Sequence, residues 1–177
     1  VYTQKPLTHG IWEARVLTET AAATGLQTQM GNQAHANSHM RRCVELLRAG
    51  ILGEVKEIHA WTNRPIWPQG FQTPPDAEEV PPGIDWEQWI GPAPWVDYNG
   101  VIAPFAWRGW WNYGTGAMGD MACHIMDMPY WALELGAPTS VEAIEEGASD
   151  YSPPINSTVT YDFADKGIKF YWYDGQK

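Results

Sequence analysis

VYTQKPLTHGIWEARVLTETAAATGLQTQM, residues 1–30, reads as strand, helix, strand. Val1 to Thr3 has the character of a strand end. Thr8 is placed to cap a helix running to about Thr24, with Ile11, Ala14 and Leu17 on one side and Gly25 as its stop. Leu26 to Met30 then forms the next strand. Two strands joined through a helix at this length make a βαβ unit, so they are expected to be parallel. Gln4-Lys5-Pro6 follows the first strand and Gly31-Asn32-Gln33 the second. Both lie at carboxyl ends, where open α/β sheets bind their ligands.

Downstream, Asn37 or Ser38 starts a second helix. Met40, Cys43, Val44 and Leu47 recur at i, i+3, i+4 and i+7, one buried stripe, and Gly50 ends the run. His35 and His39 stand four apart near its start. Zinc asks for three or four ligands and no third accompanies them, so no metal is assigned. Val55 to Thr62 reads as a strand. Residues 63–115 are irregular and rich in Pro and Trp, with one short helical candidate at Asp85–Trp89. Ordinary connections run to about 4–6 residues, so this stretch points to a functional or subunit-wrapping role. The chain holds 11 Trp, 8 Tyr and 4 Phe. Those rings suit stacking on the C–H faces of a sugar, and equally a bulky core beneath long loops.

Gly114-Thr-Gly-Ala-Met-Gly-Asp-Met-Ala-Cys-His124 brings a glycine-rich turn directly into a helix. Asp120 and His124 are four apart there and share one helical face. A carboxylate beside an imidazole makes an acid/base pair; the same residues also serve as a helix cap and a core histidine. The helix is expected to continue through Met128 and Leu133 with a kink at Pro129, and to stop at Gly136-Ala-Pro138. Ser140 to Glu145 reads as a strand. Val159, Tyr161 and Phe163 then alternate with polar residues, Asp165-Lys-Gly167 turns the chain, and Ile168, Phe170 and Trp172 alternate again. The fold class is α/β: a parallel pair first, then an α+β part with a mostly antiparallel sheet.

The 177 residues carry a net charge of −10, from 21 acidic and 11 basic residues, with no basic stripe. That balance argues against nucleic acid and anionic membranes as partners. No apolar run is long enough to span a bilayer. Cys43 and Cys123 fall in apolar helical patterns and are read as buried thiols. The chain opens on Val1 without Met, and Asp174-Gly175 is a hairpin-turn signal with no strand after it. We therefore expect a piece of a longer protein, and its compartment, cytoplasmic or periplasmic, is not written in these residues.

Several of these segments together resemble the Gfo/Idh/MocA oxidoreductases. Gln4-Lys5-Pro6 is similar to the family's Glu-Lys-Pro motif, with Gln in place of the usual Glu. Gly119-Asp120-Met-Ala-Cys-His124 is similar to its Asp-x-x-x-His segment. Gly31-Asn-Gln33, Trp61-Thr-Asn-Arg-Pro65, Trp89-Ile-Gly-Pro92 and Phe105-Ala-Trp-Arg-Gly-Trp-Trp111 resemble its Trp-rich bacterial branch. The resemblance implies that residues 1–33 are the C-terminal part of a dinucleotide-binding Rossmann domain. It makes 34–177 a substrate and oligomerisation domain, truncated at its end. It implies NAD or NADP as cofactor, although the G-x-G-x-x-G turn does not occur here and would lie upstream. The implied chemistry is oxidation or reduction of a carbinol on a sugar, cyclitol or related small molecule. Lys5, Asp120 and His124 would be catalytic, and Gln4, Lys5, Pro6, Asn32 and Gln33 would face the cofactor. His35, Trp107, Arg108, Trp110 and Trp111 would face the substrate. A homo-oligomer formed through the antiparallel sheet is implied as well. NAD-dependent glycoside cleavage in the same fold, and a non-catalytic sugar-binding or assembly module, are the alternatives.

Overall fold

The structure is a computed structural model and describes residues 1–175. The continuation of the Asp174-Gly175 turn lies outside the described residues. Among the described residues, six strands and five α-helices follow one another. β1 (Tyr2–Gln4) and β2 (Gln29–Gly31) pair in parallel, with Tyr2 opposite Gln29 and Gln4 opposite Gly31. α1 (Ile11–Thr24) connects them, and Gly25 closes it in the left-handed conformation at φ 66°. This is the expected βαβ unit.

Two features of α1 differ from the sequence reading. The helix starts after Gly10 rather than at Thr8, because Glu13 Oε2 accepts from the backbone N–H of both His9 and Gly10 at 2.8 Å. Those donors are otherwise orphaned at a helix start. α1 also buries none of its residues: Ile11 is 91% and Trp12 75% exposed. Three-residue strands extend only about 10 Å, whereas a fourteen-residue helix is about 21 Å long, so the pair cannot cover it. The two backbone hydrogen bonds hold the Glu13 carboxyl below the usual carboxylate range. Its contribution is therefore present above the unfolded-chain value and fades as pH falls through the lowered one. The protection factors of the His9 and Gly10 amides, each taken against the intrinsic exchange rate at the same pH, are expected to fall in acid as Glu13 is protonated. In Glu13→Ala those protection factors should be low at every pH, and unchanged protection there would show that the Glu13 carboxylate does not hold the two amides.

The chain divides into two compact units. The first comprises Val1–Ala60, Met121–Val141 and Thr160–Tyr171. In it, α2 (Ser38–Arg48), capped by the Asn37 side chain on His39 N–H, packs on α5 (Asp127–Leu133). Val44 is the buried centre of the α2 stripe, flanked by half-buried Met40 and Leu47. Cys43 sits at the edge of that stripe and is exposed, and Cys123 is only half-buried. Neither is the buried thiol that its apolar neighbours suggested. Arg48 reaches the end of α5, donating through Nη2 to Trp131 O at 2.9 Å and Glu134 Oε1 at 3.0 Å. A cation there suits the negative end of the helix.

The helix expected to run from Gly116 to Leu133 is two: α4 (Gly116–Ile125) and α5. Pro129 is the third residue of α5. Within one continuous helix its ring would meet the Ile125 carbonyl and its missing N–H would leave that carbonyl unbonded. The run therefore divides at Met126, and the proline falls in a first turn, where no N–H is needed.

The second unit comprises Trp61–Asp120, Glu142–Val159 and the chain from Trp172 onward. Its irregular part holds α3 (Trp86–Ile90), capped by Asp85 on Gln88 N–H at 3.0 Å. The aromatic rings here pack chiefly on one another. Trp86 stacks on Trp89 at 4.8 Å, Phe71 on Trp110 at 4.3 Å, and Tyr98 meets Trp86 edge-on. Trp86 and Trp110 send their indole N–H groups to Val96 O and Val101 O. Ser152, fully buried, accepts from Gly70 N–H and donates to Gly109 O, both at 2.7 Å, tying three loops together. These rings form a core beneath long loops.

The larger sheet has the order β3-β6-β5-β4 and is mostly antiparallel. Its strands are β3 (Glu57–Trp61), β4 (Ser140–Glu146), β5 (Asn156–Phe163) and β6 (Ile168–Asp174). The β5–β6 hairpin turns through Gly167 as expected, and the alternation is kept: Val159, Phe163, Ile168, Phe170 and Trp172 are buried. β4 is a rim strand, exposed at every residue. Among the described residues, no helix is long and apolar enough to cross a membrane.

Candidate functional site

α4 presents Asp120 and His124 one turn apart, following a turn that only small residues fit. A Cβ on Gly114 would lie 2.5 Å from Arg108 Cα, and Gly116 opens the helix at φ 65° with Pro153 against it. Backbone replaces side chain here, and the helix start is pressed onto the Arg108 segment.

Around Asp120, the salient partner is Arg108, whose Nε lies 3.6 Å from Asp120 Oδ1. The guanidinium is set among three rings, 4.4 Å from the Trp107 centroid, 5.0 Å from Phe105 and 5.7 Å from Trp67. Its Nη1 donates to Phe105 O at 3.0 Å. Aromatic faces hold a planar cation well, and both charged side chains are largely withdrawn from solvent, at 27% and 17% exposure. Phe105 and Trp67 were not singled out in the sequence as partners of this cation.

Around His124, Asn32 bridges two groups. Its Nδ2 donates to the Cys123 carbonyl at 2.7 Å, and its Oδ1 lies 2.6 Å from His124 Nδ1. Three residues on, His35 Nδ1 meets both carboxylate oxygens of Asp127 at 2.9 and 3.0 Å, and its ring stacks on Trp131 at 4.1 Å. The segment after β2 thus grips α4 and the start of α5 at two points. Asp127 and Trp131 were missed from sequence. The matched spacing was a signal: Asn32 and His35 are three apart, as are His124 and Asp127.

The remaining sequence candidates divide. Lys5 is half-buried at the carboxyl end of β1, and its peptide bond to Pro6 is cis. Gln4, Pro6 and Gln33 are exposed, and Gln4 Oε1 accepts from Lys5 N–H at 3.4 Å. Trp107 is half-buried over Arg108. Trp111 is 38% exposed and donates to Ser149 O. Trp110 is 5% exposed and belongs to the aromatic core.

A family model described as the oxidoreductase family, C-terminal alpha/beta domain, matches residues 39–171. The chain belongs to the Gfo/Idh/MocA oxidoreductases. Among solved structures, it is similar to an NAD binding oxidoreductase from Klebsiella pneumoniae, at 17% identity and a TM-score of 0.64 over 99% of this chain and 40% of that one. The WlbA dehydrogenase from Bordetella pertussis, solved with NADH and UDP-GlcNAcA, matches at 16% identity and a TM-score of 0.62 over 99% and 43%. A super-repressor mutant of Gal80p from Saccharomyces cerevisiae matches at 14% and 0.62 over 99% and 42%. No curated protein sequence matches. The chain spans about two fifths of the length of these solved relatives. At such identities the likeness shows the fold.

Proposed function

We propose that the intact protein is an NAD(P)-dependent oxidoreductase acting on a carbinol of a sugar, cyclitol or related small molecule. The observation that carries this reading is the polar face of α4 in a chain of this family. Asp120 is held by an aromatic-boxed Arg108 and His124 is held by Asn32. Residues 1–33 serve as the end of a dinucleotide-binding domain and 34–177 as the substrate domain, a division supported by the family match beginning at residue 39.

The carboxyl ends of the parallel β1 and β2 offer exposed Gln4 and Gln33 and half-buried Lys5. These amide and amine groups fit the hydroxyls and carboxamide of a nicotinamide riboside. The cofactor, when bound, supplies the hydride acceptor or donor. The chain's own residues handle the proton: Lys5 hydrogen-bonds the reacting hydroxyl, His124 takes its proton, and Asp120 orients and tunes the site. Trp107 and Trp111 present partly exposed faces for the substrate. His35 contributes its Nε2 edge, since Nδ1 is committed to Asp127. The larger sheet serves as the contact between copies.

The test is nicotinamide absorbance of the full-length protein with NAD⁺ or NADP⁺ and a panel of polyols and glycosides. Cofactor reduction that depends on one substrate class supports the reading. Sugar binding without reduction overturns it in favour of a non-catalytic module, and release of an aglycone overturns it in favour of glycoside cleavage.

A further inference from the structure

A side-chain amide has one donor end and one acceptor end, and Asn32 is asked to use both. Its Nδ2 faces the Cys123 carbonyl at 2.7 Å. A carbonyl oxygen can only accept, so the NH₂ group must be on that side. The oxygen of the same amide is then fixed on the side of His124, 2.6 Å from Nδ1. An amide oxygen likewise only accepts, so Nδ1 must carry the hydrogen. The backbone carbonyl, whose identity is beyond ambiguity, thereby settles the amide orientation, and the amide settles the ring.

We propose that Asn32 is a positioning residue that sets the tautomer of His124, with Nδ1 protonated and Nε2 bearing the lone pair. The inference rests on the proposed proton-accepting role of His124, and it moves Asn32 from cofactor contact to control of the base. A neutral imidazole has one lone pair, and the hydrogen bond made by one nitrogen decides what the other can do. With Nδ1–H bound to Asn32, the lone pair of the neutral ring is on Nε2, the nitrogen that takes a proton. In the other tautomer the lone pair would face Asn32 and Nε2 would present N–H, unable to take a proton.

The same logic holds one turn along. Both oxygens of Asp127 lie at His35 Nδ1, so that nitrogen too is a donor. The two contacts fix the segment 32–35 on the α4–α5 corner.

The test uses ¹⁵N-labelled full-length protein and reads the ring nitrogens of His124 by NMR at a pH where the ring is neutral. A pyrrole-type Nδ1 and a pyridine-type Nε2 are expected, and the reverse assignment in the native protein overturns the proposal. Asn32→Leu removes the acceptor: Nδ1 should lose its pyrrole-type signature, and kcat should fall about 10–100-fold with KM nearly unchanged. Asn32→Asp keeps an oxygen toward Nδ1 and should retain the tautomer and more of the turnover. If Asn32→Leu keeps both the signature and kcat, Asn32 is merely structural, whatever its effect on melting. Native protein with the expected signature but no hydride transfer to any substrate would sink the oxidoreductase reading and leave the tautomer assignment standing.

Discussion

In the full-length protein, His124→Ala is expected to lower kcat by about 10²–10⁴-fold, the usual contribution of a positioned acid/base group. KM should stay within about threefold, because proton transfer belongs to the transition state and ground-state affinity comes from other contacts. The imidazole is half-buried on α4 with Nδ1 on Asn32. Removing it deletes the proton acceptor while leaving the Asn32 bond to the Cys123 carbonyl intact, so the helix end keeps its cap. Circular dichroism should accordingly show little change. Steady-state kinetics decide the matter: wild-type turnover in His124→Ala makes the histidine structural and removes the centre of the proposed mechanism.

Trp172→Ala should be the most damaging single change to stability, for two separable reasons. Trp172 is fully buried, and truncating a buried tryptophan leaves a large cavity, typically at a cost of about 3–5 kcal/mol. Its Nε1 also donates to Asp174 Oδ2 at 2.8 Å. Asp174 is only 5% exposed, and its Oδ1 has no hydrogen-bond partner among the described residues. Loss of the indole N–H would leave the carboxylate without its donor, which costs roughly another 1–3 kcal/mol. Trp172→Phe separates the two, since it fills much of the volume and lacks the donor. Urea unfolding with m held constant should place Trp172→Phe about 1–3 kcal/mol below wild type and Trp172→Ala well below that. Equal stability of Trp172→Phe and wild type would show that the buried bond contributes nothing.

The β5–β6 hairpin was legible because period-two alternation and a Gly167 turn act over neighbouring residues. The short helix near Asp85–Trp89 and Gly25 as a stop were legible for the same reason. The start of α1 was not. Thr8 and Glu13 both have the chemistry to satisfy N-terminal donors, and only the backbone path shows that Glu13 reaches two of them. Nor did the periodicity of α1 reveal its exposure, since an apolar side says what a helix can cover and not whether anything lies against it. The tryptophans were ambiguous in sequence because stacking on a sugar and stacking on another ring ask for the same surface. Trp86 and Trp110 went to the core, while Trp107 lies over a cation. At the site, the Asp120–His124 spacing was visible, but their fixed partners were not. Arg108 and Asp120 are twelve residues apart and Asn32 and His124 ninety-two, separations that no local pattern encodes.

The division between α4 and α5 reaches further than the shape of a helix. Cys123 is among the last four carbonyls of α4, the ones a helix leaves for outside donors. The Asn32 amide donates to that carbonyl, and the same bond orients the amide oxygen that faces His124. The break itself follows from Pro129, five residues beyond the histidine. On the proposed tautomer, a residue with no polar side chain thereby bears on where a hydrogen rests on an imidazole five positions away.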